Sequence, residues 1–137
     1  MERNISSNII RILKWLPSSF IFCTSWDLSS QETIEHFPSF WNADKLVHCI
    51  CFAGFSFWVS FACAIKTRKN LCLPLFIVSA YGIIDEIHQS FTPGRSSSIF
   101  DWIADTLGAL LGALSFLCLI GIIARVRGRN EDSGRGV

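Results

Sequence analysis

Residues 102–124, WIADTLGALLGALSFLCLIGIIA, run for 23 positions with one carboxylate, Asp105, as the only charge. A bilayer hydrocarbon core about 30 Å thick needs roughly 20 apolar helical residues, so this stretch reads as a membrane-spanning helix. Two more stretches read the same way. Leu46 to Ile65 has His48 and its cysteines as its only ionisable groups, and Leu71 to Phe91 stays apolar up to Asp85. A fourth, Ile9 to Leu28, is apolar but carries Arg11, Lys14, Pro17 and Asp27. Its long basic side chains can snorkel to the headgroups. We expect a retained helix there rather than a cleaved signal segment with Arg3, Arg11 and Lys14 ahead of a short apolar run. The sequence therefore predicts an all-α fold: an integral membrane bundle of four transmembrane helices over residues 1–124. A basic tail, 125–137, is rich in Gly, Arg and acids and is expected to be disordered.

Composition supports the same class. Half of the 137 residues are hydrophobic and 17% are charged, against about a quarter in soluble domains. Twelve basic and eleven acidic residues leave a net charge of +1, which gives no basic field for nucleic acid. The six cysteines lie in or beside apolar runs. They read as reduced thiols facing lipid or core rather than as a disulfide framework.

Charge fixes the expected topology. With both termini inside, ten of the twelve basic residues are cytoplasmic: Arg3, Arg11, Lys14, Lys66, Arg68, Lys69, Arg125, Arg127, Arg129 and Arg135. Only Lys45 and Arg95 fall outside. Short loops rich in Lys and Arg stay cytoplasmic, so the expected arrangement is N-in/C-in in the plasma membrane. The loop after the first span begins with Ser29-x-x-Glu32, a capping-box pattern for a short helix. It ends in Phe37-Pro38-Ser39-Phe40-Trp41, an aromatic anchor at headgroup depth.

The acids complement the bases. Asp27, Glu32, Glu35, Asp44, Asp85, Glu86, Asp101 and Asp105 all fall at or near the outer face, as do His36, His48 and His88. Ionisable groups at the membrane edge are costly and tend to mark function. Asp44 and His48 are i,i+4 and share a face, and Asp44 in the first turn also suits the helix dipole. Asp85 and Glu86 are adjacent, about 100° apart on a helix, with Asp85 in register with His88 and Gln89. Pro93-Gly94 stops that helix and turns Arg95 back toward its carboxylates, as a structural clamp or as an anion holder. In the last span, positions 101, 105, 108, 112 and 115 follow 4-3-4-3 spacing. They form one stripe in which Gly108 and Gly112 permit close helix packing and carry Asp101 and Asp105 into the bundle.

The set Asp44-Lys45-x-x-His48, Asp85-Glu86-x-x-Gln89-x-Phe91-x-Pro93-x-Arg95 and Asp101-x3-Asp105-x2-Gly108-x3-Gly112 resembles the VanZ-like family. The segment Leu28-Ser29-Ser30-Gln31 is similar to the one that closes that family's first helix. One departure is Asp105, where the family usually carries Asn. An ionised Asp only accepts hydrogen bonds, so Asp105 is expected to be protonated or balanced by Lys45 or Arg95. The founding member is associated with resistance to the glycopeptide antibiotic teicoplanin. The resemblance therefore implies a small multi-span membrane protein and raises a link to glycopeptide resistance.

Two functions compete. The first is a cell-envelope factor whose polar site binds a lipid-linked or wall-polymer anion, or a partner helix, with membrane lipids around it. Asp44, Lys45, His48, Asp85, Glu86, Gln89, Arg95, Asp101 and Asp105 are its candidate ligand-binding residues. Lys45 and Arg95 would hold phosphate or carboxylate, and Glu86, Gln89 and Asp101 would position them or contact hydroxyls. The second is a membrane-embedded acid/base enzyme acting on lipid or wall-precursor headgroups, with Glu86, His48 and Asp101 as candidate catalytic residues. No Ser, Cys or Thr nucleophile is picked out by a motif. His48, Glu86, His88 and Asp101 have side chains that bind divalent metals, but no dense ligand motif joins them, and no metal or cofactor is expected. Transport is a third reading, and four short spans leave room for it only in a homo-oligomer.

Overall fold

The computed structural model describes residues 2–33 and 40–134, with side chains from 7–33 and 40–130. These residues form α1 (Glu2–Leu13), α2 (Leu16–Ser29), α3 (Ala43–Ala62), a 3-10 turn (Arg68–Asn70), α4 (Cys72–Gln89) and α5 (Ile99–Gly134), with no strand among them. Three helical stretches are long and apolar enough to cross a membrane: Ala43–Ala62, Arg68–Gln89 and Ile99–Asn130. No more than 33% of the apolar window in any of them is buried inside the bundle. Exposed side chains such as Ile50, Phe76, Ile84, Leu107 and Ile122 therefore form an outer surface that suits lipid, not water.

The first apolar stretch is divided. Pro17 lies in the first turn of α2. It has no N–H for the Leu13 carbonyl and its ring clashes there, so α1 ends at Leu13 and α2 restarts at Leu16. The 14 residues of α2 reach about 21 Å at 1.5 Å per residue, short of a hydrocarbon core by themselves. At the other end of the chain, the tail expected to be disordered from Arg125 continues α5 as helix to Gly134. Propagating an existing helix fixes one residue per hydrogen bond, whereas only a new helix bears the nucleation cost. The proposed cap at Ser29 does not form as drawn. Ser29 closes α2, and residues 31–33 are not helical. The helix it was to start and most of the aromatic anchor, including Glu35 and His36, lie outside the described residues.

Helix α3 starts after Asn42, which adopts the left-handed conformation (φ 58°) that Asn tolerates. It ends before Ala64, also left-handed (φ 52°). Helices α3 and α5 make the most extensive contact in the bundle, α4 packs on both, and α2 lies against α3 and α4. The core is Phe52, Phe55 and Val59 of α3, Val78 and Tyr81 of α4, and Ala109 of α5. Tyr81 stacks on Phe52 at 5.7 Å and meets Phe22 of α2 at 4.7 Å.

Gly108 and Gly112 are buried against α3. A Cβ on Gly108 would collide with the Cys49 carbonyl group, and one on Gly112 with that of Ala53; the carbonyl carbons alone are 2.9 and 2.8 Å away. Backbone thus rests on backbone. The rest of the stripe differs from 4-3-4-3 spacing. Ser115 is exposed and Phe116 is buried in its place, because the buried positions follow two four-residue rows, 101-105-109-113 and 104-108-112-116. Packing along i±4 ridges replaces the 3.5-residue seam.

Candidate functional site

The C-terminus of α2, the N-terminus of α3, the C-terminus of α4 and the N-terminus of α5 meet at one end of the bundle. The α4–α5 turn completes this polar end. Gly94 makes that turn with φ 78°, where its bare backbone lies close to the Glu32 carbonyl oxygen, 3.2 Å from where a Cβ would stand. Asp85, Glu86, Gln89, Asp101 and Asp105 are all at most 7% exposed, so these polar groups point into the protein.

Among the described residues, three contacts between acidic and basic side chains organise the cluster. Lys45 Nζ donates to Asp44 Oδ2 at 2.7 Å and lies 3.0 Å from Asp101 Oδ1, tying α3 to α5. His48 Nδ1 lies 2.9 Å from Asp105 Oδ1, and Asp105 is fully buried. The imidazole, rather than Lys45 or Arg95, thus meets the Asp105 carboxyl group. Gly82 of α4 makes room for it: a Cβ there would stand 3.0 Å from Asp105 Oδ2 and 3.3 Å from Phe52 Cε1. Gly82 was not singled out in the sequence, where it has no paired small residue at i+4.

The acids of α4 are used differently from each other. Gln89 Nε2 donates to Asp85 Oδ2 at 2.9 Å, as their i,i+4 spacing predicts. Glu86 Oε2 instead accepts the Ser98 backbone N–H at 2.6 Å. Each keeps one buried oxygen, Asp85 Oδ1 and Glu86 Oε1, without a hydrogen-bond partner among the described residues, and Asp105 Oδ2 is in the same state.

The expected clamp between Arg95 and the α4 carboxylates is absent among the described residues. Arg95 Nη2 donates to the Leu28 carbonyl at 3.2 Å, which also accepts the Gln31 backbone N–H at the C-terminal end of α2, where a cation is favoured. Its Nε has no hydrogen-bond partner among the described residues. His88 also departs from expectation. Its ring stacks on Trp26 at 4.0 Å and its Nε2 contacts Ser30 Oγ at 2.9 Å. Together with Thr92 Oγ1 donating to the Ser29 carbonyl at 3.3 Å, these contacts dock the end of α2 onto α4. The sequence marks Ser29 as a cap and, with Ser30, as the close of the first span, and it does not single out Trp26, because the partners of these residues come from about 60 residues away.

Between these elements lies a cavity of about 220 Å³. Asp44, His48, Asp85, Gln89, Arg95 and Asp101 line its polar side, and Leu28, Val47, Cys51 and Phe52 its apolar side. Lys45, Glu86 and Asp105 are not on this wall. Of the residues able to ligate a metal, His48, Glu86 and Asp105 bring one ligand atom each to within 4.8 Å of one another. His88 is held on the α2 side and Asp101 is engaged by Lys45.

A family model described as VanZ/LLP1 matches residues 2–122. The chain belongs to that family. No curated protein and no solved structure matches it.

Proposed function

We propose that this VanZ/LLP1 protein is a cell-envelope factor of the plasma membrane that binds an anionic, hydroxyl-bearing envelope component, a lipid-linked or wall-polymer group. The binding site is the cavity at its polar end. The observation that carries this reading is the state of Arg95. It lines the cavity, it has a backbone carbonyl as a partner but no carboxylate among the described residues, and its Nε is unpartnered. A guanidinium so placed offers donors to a phosphate or carboxylate. Gln89, Asp85 and the serines beside it suit hydroxyls, and Leu28, Val47 and Phe52 suit the start of an acyl chain.

A photo-crosslinker placed at Val47 in native membranes tests it. Capture of a lipid-linked or wall-polymer anion is expected, falling at least about tenfold in Arg95→Gln, because a lost charge-assisted pair costs about 1.5–3 kcal/mol. Capture of bulk phospholipid alone, equal in both proteins, would overturn the reading. We also propose a link to glycopeptide resistance: in a teicoplanin-susceptible host, susceptibility should fall on production of the wild type and not of Arg95→Gln.

We further propose four spans, with the α1–α2 stretch as the first, and N-in/C-in topology with the cavity on the extracytoplasmic side. Lys45 and Arg95 are the only basic residues at the polar end, against ten in the opposite segments. A reporter active only in the cytoplasm should work after Arg127 and fail at Ser97. Activity at Ser97 would reverse the assignment.

The enzymatic alternative draws support from one observation, the 2.9 Å contact of His48 with buried Asp105 beside the cavity. A carboxylate that orients an imidazole makes it a competent base. In that case Asp105→Asn would leave capture intact and abolish turnover of the captured component.

A further inference from the structure

We propose that His48, Glu86 and Asp105 hold a divalent metal ion within the polar end of the bundle. This goes beyond the ligand reading and does not depend on it. The three side chains come from three helices, α3, α4 and α5, and their ligand atoms lie within 4.8 Å of one another. Donors bound to one ion at about 2.0–2.2 Å stand about 3–4 Å apart, so rotamer adjustments of under an ångström or so close the site.

Two independent observations point to a cation there. The first is the unmet demand of the ligands. Glu86 is 5% and Asp105 0% exposed, and each has a carboxylate oxygen with no hydrogen-bond partner among the described residues. Asp85, 1% exposed, has a third such oxygen nearby on α4. A buried carboxylate oxygen without a partner costs at least the desolvation of that atom, and a metal ion repays it directly. The second is charge. Asp44, Asp85, Glu86, Asp101 and Asp105 face Lys45, Arg95 and one imidazole. Lys45 is shared by two acids and Arg95 is turned to a backbone carbonyl. A divalent ion balances the surplus at Glu86 and Asp105, which among the described residues form no ion pair with a lysine or arginine.

The donor set is one nitrogen and two carboxylates, with no thiolate, which suits Mn2+ or Zn2+ over soft ions. Mn2+ is the discriminating probe, since six free cysteines would capture Zn2+ elsewhere. The purified full chain in detergent, stripped with chelator, should bind one Mn2+ per chain by its solution EPR signal. Affinity should fall at least about tenfold in Glu86→Gln and in Asp105→Asn, and stay unchanged in Glu32→Gln, an exposed carboxylate at the same end. Electron spin echo of the loaded wild type should show coupling to one imidazole nitrogen, a readout that does not require any variant to fold. Absence of stoichiometric binding, absence of the nitrogen coupling, or equal affinity in both folded variants would each overturn the site.

Discussion

Purified Gly108→Leu and Gly112→Leu proteins are expected to lose about 3 kcal/mol of stability each, the upper part of the usual range for overpacking. The upper part applies because of what blocks the new side chain. At both positions the obstacle is the α3 main chain, the carbonyl groups of Cys49 and Ala53, and a main chain cannot rotate aside as a flexible side chain does. The helices must separate, and Asp101 and Asp105 move with α5, so capture at the polar cavity should fall in parallel. Gly121 is the internal control. A Cβ there meets nothing within 4 Å, so Gly121→Leu should be neutral or gain up to about 1 kcal/mol from better helix propensity. Thermal unfolding in detergent reads all three. Equal melting of Gly108→Leu, Gly112→Leu and wild type would remove backbone contact as the seat of the bundle.

His48→Ala is expected to cost about 3–5 kcal/mol, the range for removing one partner of a buried ion pair. Asp105 would be left with no imidazole in a space where Gly82 and Phe52 admit no further group. Asp105→Asn should cost less, because the amide keeps the volume and its oxygen still accepts from the His48 Nδ1–H. The double variant separates pairing from simple loss of bulk. If the carboxylate charge is what His48 offsets, His48→Ala combined with Asp105→Asn will be more stable than the sum of the single losses by 1 kcal/mol or more. Additive losses, measured in chelator so that no metal contributes, would mean the two side chains do not act as a pair.

The membrane class and three of the helices were legible because they rest on length and hydropathy, which survive without knowledge of partners. The glycine positions on α5 were legible for a related reason: small residues at i,i+4 beside inward acids have few uses on a lipid-facing surface. The pairing inside the polar end was not. Five carboxyls and three cationic side chains offer many combinations. The choice of Asp101 for Lys45 and Asp105 for His48 depends on helix depth and rotation, which local spacing does not set. Arg95 shows the same limit. The turn at Pro93-Gly94 was readable, but its target, a carbonyl at the end of α2, is a backbone group that no side-chain pattern marks. The break before α2 rests on Pro17, visible in the sequence, yet proline in an apolar stretch is compatible with a kinked span as well as with two helices.

The uninterrupted course of α5 has a mechanical consequence. Arg125, Arg127 and Arg129 follow directly on its 23-residue apolar stretch, and Asp101 and Asp105 stand at the opposite end of the same rod. Sliding the rod by one turn, 5.4 Å, toward the polar end would draw arginines into hydrocarbon. Each costs about 2.5–3.5 kcal/mol at mid-membrane on insertion scales, and less near the edge. Sliding it the other way would drag Asp101 down past its lysine. The helix therefore has a stop at each end, like a bolt with a head and a nut. With α5 placed across a bilayer, the arginine collar at one end would set the depth of Asp101 and Asp105 at the other.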